Sequence, residues 1–126
     1  MAKILIVDDD RSIIEMLEFL LKKKGYDVSV ARDGQEGLAM AQEIKPDLIV
    51  LDVMMPLMDG FSVSGALFQD PRLRNIPILI LTAKGTSREI FELVPNVRMY
   101  MDKPFAPQDL VANIQKLLLP PDPAAA

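Results

Sequence analysis

Leu48-Ile49-Val50-Leu51-Asp52 is the stretch on which the fold turns. Four consecutive aliphatic residues leave neither face for water, so the segment reads as a strand covered on both sides that stops on a carboxylate. Ile78-Leu79-Ile80-Leu81, the end of an apolar run that begins at Ile76, has the same character and is followed by Thr82. Working outward, the runs Ile4 to Val7, Val28 to Ala31 and Val97 to Met101 supply three further strands. The intervening segments change to helical spacing. Ile13, Leu17, Leu20 and Leu21 mark a first helix, closed by Gly25 as a left-handed cap. A second opens with Asp33 and Glu36 at capping-box spacing, turns Leu38, Ala41 and Ile44 inward and stops before Pro46. A third runs from Phe61 to Gln69 and a fourth spans about Thr86 to Val94. The last begins at Pro107, with Leu110, Val111, Ile114, Leu117 and Leu118 on one face. Strict alternation of strand and helix implies right-handed crossovers, hence a doubly wound α/β domain with a parallel sheet between two helical layers.

Composition narrows the chemistry. The 126 residues, half of them hydrophobic, suit one domain able to bury a core without disulfides or a structural metal. With no cysteine and no histidine, thiol chemistry, Cys/His zinc sites and histidine bases are excluded, leaving carboxylates, lysine and hydroxyls. A net charge of -4 with scattered basic residues argues against direct nucleic-acid binding. The apolar run after Lys3 ends at once in Asp8, Asp9 and Asp10, too short and too acidic for a membrane span or signal peptide, so a soluble, cytoplasmic protein is expected. Residues 1–119 read as the domain and residues 120–126, rich in Pro and Ala, as a tail or the start of a linker.

Open α/β sheets bind ligands outside the carboxyl ends of their strands, and that rim collects the polar groups here. The first strand runs into Asp8-Asp9-Asp10, the third ends in Asp52, the fourth is followed by Thr82, and the fifth is followed closely by Lys103. Taken singly, each has an ordinary explanation: Asp10 as a helix cap, Thr82 as a turn residue, Lys103 as a solvated loop charge. Taken together, several carboxylates at one edge repel one another unless a cation sits among them, and all-oxygen ligation suits Mg²⁺. A carboxylate beside that ion can attack phosphorus while the lysine neutralises charge on the equatorial oxygens.

In this arrangement the chain resembles the receiver domains of two-component response regulators from Lys3 to about Leu119. KILIVDD matches the family's acidic pair, LIVLDVMMPLMDG its phosphoacceptor strand and loop, ILILTA its hydroxyl-bearing strand, and YMDKPF its switch aromatic and lysine. The resemblance implies a flavodoxin-like sheet in the order 2-1-3-4-5 with five helices. It also implies Asp52 as phosphoacceptor, Asp9 as a direct Mg²⁺ ligand, Asp8 acting largely through water, and Met54 ligating through its backbone carbonyl. Thr82 and Lys103 would bind the phosphoryl oxygens, the Lys103–Pro104 peptide would be cis, and Tyr100 would be the switch aromatic. The expected partners are a sensor histidine kinase or phosphotransfer protein upstream and an output protein or domain downstream. The output would read the face made by the fourth helix, fifth strand and fifth helix, around Lys84, Arg88 and Arg98. A phosphorylation-dependent homodimer is a further expectation. Such a domain is a signalling phosphoacceptor that catalyses its own phosphorylation and dephosphorylation rather than an enzyme acting on others. Met54 and Lys84, two residues past Asp52 and Thr82, would overhang the phosphoryl group; neither can orient a water, which implies slow hydrolysis.

Asn96, Val97, Arg98 and Met99 stand where the family usually has Gly-Ala and two acidic residues. The acidic pair helps form a charged dimer face in members with winged-helix outputs, so Arg98 and Met99 depart from that pattern. Two rivals remain at the level of sequence. Asp8-x-Asp10-x-Ser12 imitates the nucleophile motif of haloacid-dehalogenase-type phosphatases, but that reading leaves Asp52 and MMPLMDG without a role. A degenerate receiver serving only as a scaffold would lack one of the key side chains, and all are present.

Overall fold

The computed structural model describes residues 2–53, 58–82 and 94–118. Strands β1 (Lys3–Val7), β2 (Asp27–Ala31), β3 (Leu48–Asp52), β4 (Ile78–Thr82) and β5 (Val97–Asp102) form one sheet in the order β2-β1-β3-β4-β5. Every neighbouring pair is parallel, as the doubly aliphatic strands require. Helices α1 (Arg11–Lys23), α2 (Gly34–Ile44), α3 (Gly60–Gln69) and α4 (Pro107–Leu118) are the four among the described residues. Most of the expected fourth helix, Met54, Lys84, Arg88 and the Pro/Ala-rich tail lie outside them.

The two sheet faces divide the core by strict alternation. Ile4, Ile6, Leu48, Val50, Leu79 and Leu81 face α1 and α4, packing on Ile14, Leu17, Leu21, Leu110, Val111 and Ile114. Leu5, Val7, Ile49, Leu51, Ile78 and Ile80 face the opposite side with Ala41, Val63, Leu67 and Leu73. β3 and β4 are buried along their whole length, whereas β5, at the sheet edge, is only half-covered. An irregularity sits at its start: Ile78 pairs with Val97 and Leu79 with Met99, which leaves Arg98 as the extra residue of a bulge.

Local signals account for the boundaries. Asp10 caps α1 by accepting from the backbone N–H groups of Ser12 and Ile13, and Gly25 takes a φ of 94° just beyond its end. Asp33 accepts from the Glu36 N–H, but the Glu36 carboxylate reaches back to the N–H of Arg32, one residue before the expected capping-box partner. α2 ends at Lys45, the non-glycine residue with a positive φ among those described, immediately before Pro46. The amide of buried Asn96, just before β5, finds no hydrogen-bond partner among the described residues. β4 begins at Ile78 rather than Ile76, because Pro77 has no N–H to give the ladder and the Ile76 N–H is taken by the Leu73 carbonyl. No helix among the described residues is long and apolar enough to cross a membrane.

Candidate functional site

Strand order reverses between β1 and β3, and the crevice at their carboxyl ends is where a doubly wound sheet opens to ligands. Val7 pairs with Leu51, so the next residues, Asp8 and Asp52, emerge side by side. Both are buried, while Asp9 is exposed. One carboxylate oxygen from each of Asp8, Asp9 and Asp52 lies within 4.8 Å of the others. At such separations each pair repels by roughly 1 to 3 kcal/mol, between the values for water and for a protein surface.

Lys103 offsets part of that repulsion. Its ammonium lies 3.2 Å from Asp8 Oδ2 and 3.4 Å from Asp52 Oδ2, bridging the two buried carboxylates. Burial alone would lower its pKa, but the charges of Asp8 and Asp52 and the hydrogen bonds to them outweigh that and hold it above the ordinary lysine value. The Lys103 backbone N–H donates to the Thr82 carbonyl at 2.7 Å, which ties the end of β5 to the end of β4, and the Lys103–Pro104 peptide is cis. Asp8 also accepts from the Asp10 N–H at 2.9 Å, so its carboxylate is held from two sides.

Three acidic groups and one ammonium leave a formal charge of two minus in a cluster of oxygen donors. A divalent, oxygen-preferring cation such as Mg²⁺ fits both the charge and the donor chemistry. Asp10 is not among the clustered carboxylates, because its side chain is spent on capping α1. The phosphatase reading built on Asp8 and Asp10 thereby loses one of its two carboxylates.

Helix α3 fixes Asp52 from below. The Gly60 N–H donates to the Val53 carbonyl at 3.1 Å, and a Cβ on Gly60 would come within 2.8 Å of the Asp52 carbonyl oxygen. Only glycine allows the helix to start this close to the strand. Asp59 caps the same helix through the Ser62 N–H.

The sequence-predicted residues do not all converge. Asp8, Asp9, Asp52 and Lys103 meet; Met54 lies outside the described residues. Thr82 is fully buried at the end of β4, and its hydroxyl hydrogen bonds run to Asp102 Oδ1 at 2.6 Å and to the Met101 carbonyl at 3.4 Å. Tyr100 is half-buried on β5 opposite Ile80. Asp102 and Gly60 escaped the sequence reading, since both matter through contacts that depend on strand register and on helix-to-strand approach.

The family model for the response regulator receiver domain matches residues 4–115. Over 120 residues the chain is 45% identical to the alkaline phosphatase synthesis transcriptional regulatory protein PhoP of Bacillus subtilis, with 92% of this chain and 48% of that protein covered. It is 40% identical over 119 residues to the DNA-binding dual master transcriptional regulator RpaA of Synechocystis, covering 94% of this chain and 49% of that one. The chain thus spans about half the length of these curated relatives. Among solved structures, the chemotaxis protein CheY4 of Vibrio cholerae superposes with a TM-score of 0.86 at 38% identity, covering 94% of this chain and 99% of that one. With the acidic pocket of Asp8, Asp9 and Asp52 at the carboxyl edge of its β2-β1-β3-β4-β5 sheet, the chain belongs to the receiver domains of two-component response regulators.

Proposed function

We propose that this domain accepts a phosphoryl group on Asp52 from the phosphohistidine of a sensor kinase or phosphotransfer protein, or from a small phosphodonor, and presents an altered surface in consequence. The observation that carries this reading is the Lys103 ammonium held between buried Asp8 and Asp52 beside a third carboxylate. A carboxylate oxygen of Asp52 would attack phosphorus in line with the departing group, forming a P–O bond as the donor's P–N or P–O bond breaks. Lys103, 3.4 Å from Asp52 Oδ2, would give a hydrogen bond to an equatorial oxygen and offset its charge. Asp8 would hold that lysine in place through its 3.2 Å contact. Mg²⁺, held by Asp9 and Asp52 with Asp8 acting largely through water and Met54 through its carbonyl, would neutralise charge on the transferring group.

Phosphorylated Asp52 would draw the Thr82 hydroxyl toward its new oxygens, Tyr100 would turn inward, and the face around β5 would change for a downstream protein, output domain or second copy. The edge position and half-covered residues of β5 support that last step. In this reading the domain spans residues 1–119, works in the cytoplasm and binds no nucleic acid itself. Incubation with acetyl phosphate and Mg²⁺ tests the core of it. The intact mass should rise by one phosphoryl group, chelation should prevent the gain, and hydroxylamine should release the phosphate and leave a hydroxamate in its place. An Asp52→Asn variant that gains the same mass at an unchanged rate would contradict the assignment.

A further inference from the structure

Asp102 takes no part in the phosphoryl chemistry above, yet it holds the hydroxyl which that chemistry needs. Thr82 and Asp102 are direct partners across the parallel β4–β5 ladder, so their side chains stand on one face. Oγ1 of Thr82 lies 2.6 Å from Asp102 Oδ1, in the range of a hydroxyl bonded to an ionised carboxylate (about 2.5–2.7 Å). A threonine hydroxyl carries one proton. While Asp102 takes it, no phosphoryl oxygen can.

Resting on the phosphoacceptor reading of Asp52 and Thr82, we propose that Asp102 is a positioning residue that holds the Thr82 hydroxyl in the resting arrangement, so that phosphorylation must win that hydrogen bond from it. The backbone at this rung is clamped by the Lys103 N–H to Thr82 carbonyl bond at 2.7 Å. The exchange is therefore a rotation about χ1 of a β-branched side chain, which has a few discrete wells rather than a continuum. Asp102 is exposed, so water can solvate its carboxylate once the hydroxyl leaves. Tyr100 lies two residues earlier on the same face of β5, next to Ile80, so the released carboxylate stands beside the ring that follows Thr82. Asp102 thereby sets how strongly the domain resists activation.

Beryllofluoride with Mg²⁺, a stable mimic of the phosphoryl group, measures this as an affinity in four proteins: the parent, Asp102→Val, Thr82→Ala and the double variant. Removing the competing acceptor should tighten binding about tenfold, the scale of a hydrogen bond to a charged group, and Asp102→Asn should give a smaller gain. In the Thr82→Ala background Asp102→Val should give none. An equal gain in both backgrounds would mean that Asp102 acts only by charge repulsion and would overturn the proposal, as would no gain in either. The Thr82 hydroxyl proton should be slow to exchange and visible by NMR in the parent, then vanish in Asp102→Val and shift in the adduct; a proton unmoved by the adduct also overturns it. Failure of the underlying reading looks different: the parent would bind no beryllofluoride, or Asp52→Asn would bind it equally well.

Discussion

Lys103 concentrates the electrostatics of the site in one side chain. Asp8 is fully buried, and the ammonium of Lys103 together with the N–H of Asp10 offsets the desolvation of its carboxylate. Replacing Lys103 by methionine keeps the packing stem but leaves two buried carboxylates beside a third. It should cost about 3 kcal/mol of stability without Mg²⁺, with part restored when Mg²⁺ is added. Urea unfolding of both proteins checks this, and a loss below about 1 kcal/mol would show that water already screens the cluster. The pH dependence has a definite sign. Because the folded-state pKa of Lys103 is raised, its contribution is complete below the ordinary lysine value and is lost as pH climbs through the raised one. The parent should therefore lose stability in that alkaline window while Lys103→Met stays flatter. The approach of Lys103 to Asp8 and Asp52 was legible because it follows the fifth apolar run closely. The role of its neighbour Asp102 was not, since the Thr82–Asp102 pair exists only once the β4–β5 register is known.

Among the elements, the start of α3 matters most for the site. A Cβ on Gly60 would lie 2.8 Å from the Asp52 carbonyl oxygen and 2.9 Å from Val53 Cα, backbone atoms that cannot swing aside. Gly60→Ala should cost roughly 1 to 3 kcal/mol by overpacking and slow phosphorylation by displacing Asp52. Gly65, in the same helix, is the control, because a Cβ added there would meet nothing within 4 Å. Gly65→Ala should stabilise by about 0.5–1 kcal/mol. Thermal or urea unfolding of the pair decides it, and equal effects would remove the close-approach argument. Helix faces are less legible in the sequence than helix positions. The first helix buries Ile14, Leu17 and Leu21, whereas Ile13 and Leu20 sit on its flanks; adjacent apolar pairs leave the phase of a helix undetermined. In α2 the sequence revealed Ala41, with Leu38 and Ile44 packed beside it, but not the other two buried positions, Gly34 and Gly37, because glycine carries no hydropathy signal.

At the scale of the whole molecule, strands aliphatic on both faces placed β3 and β4 inside a sheet roofed by helices, whereas the order β2-β1-β3-β4-β5 came from the family resemblance and not from the strand pattern. That architecture then brings residues from 8 to 103 to one edge, which is why the acidic cluster and its lysine were legible from strand ends alone. The destination of the Thr82 hydroxyl was not, because strand ends give position without side-chain direction. The central claim is that the phosphoryl group resides on Asp52, and reductive trapping tests it most directly. After reaction with acetyl phosphate and Mg²⁺, borohydride converts a phosphorylated aspartate to homoserine, and peptide mass mapping locates it. The account predicts homoserine at position 52, in the peptide that carries Leu48 to Leu51, and none at position 8, 9 or 10. Homoserine at position 8 with Asp52 unmodified would contradict it and restore the phosphatase reading.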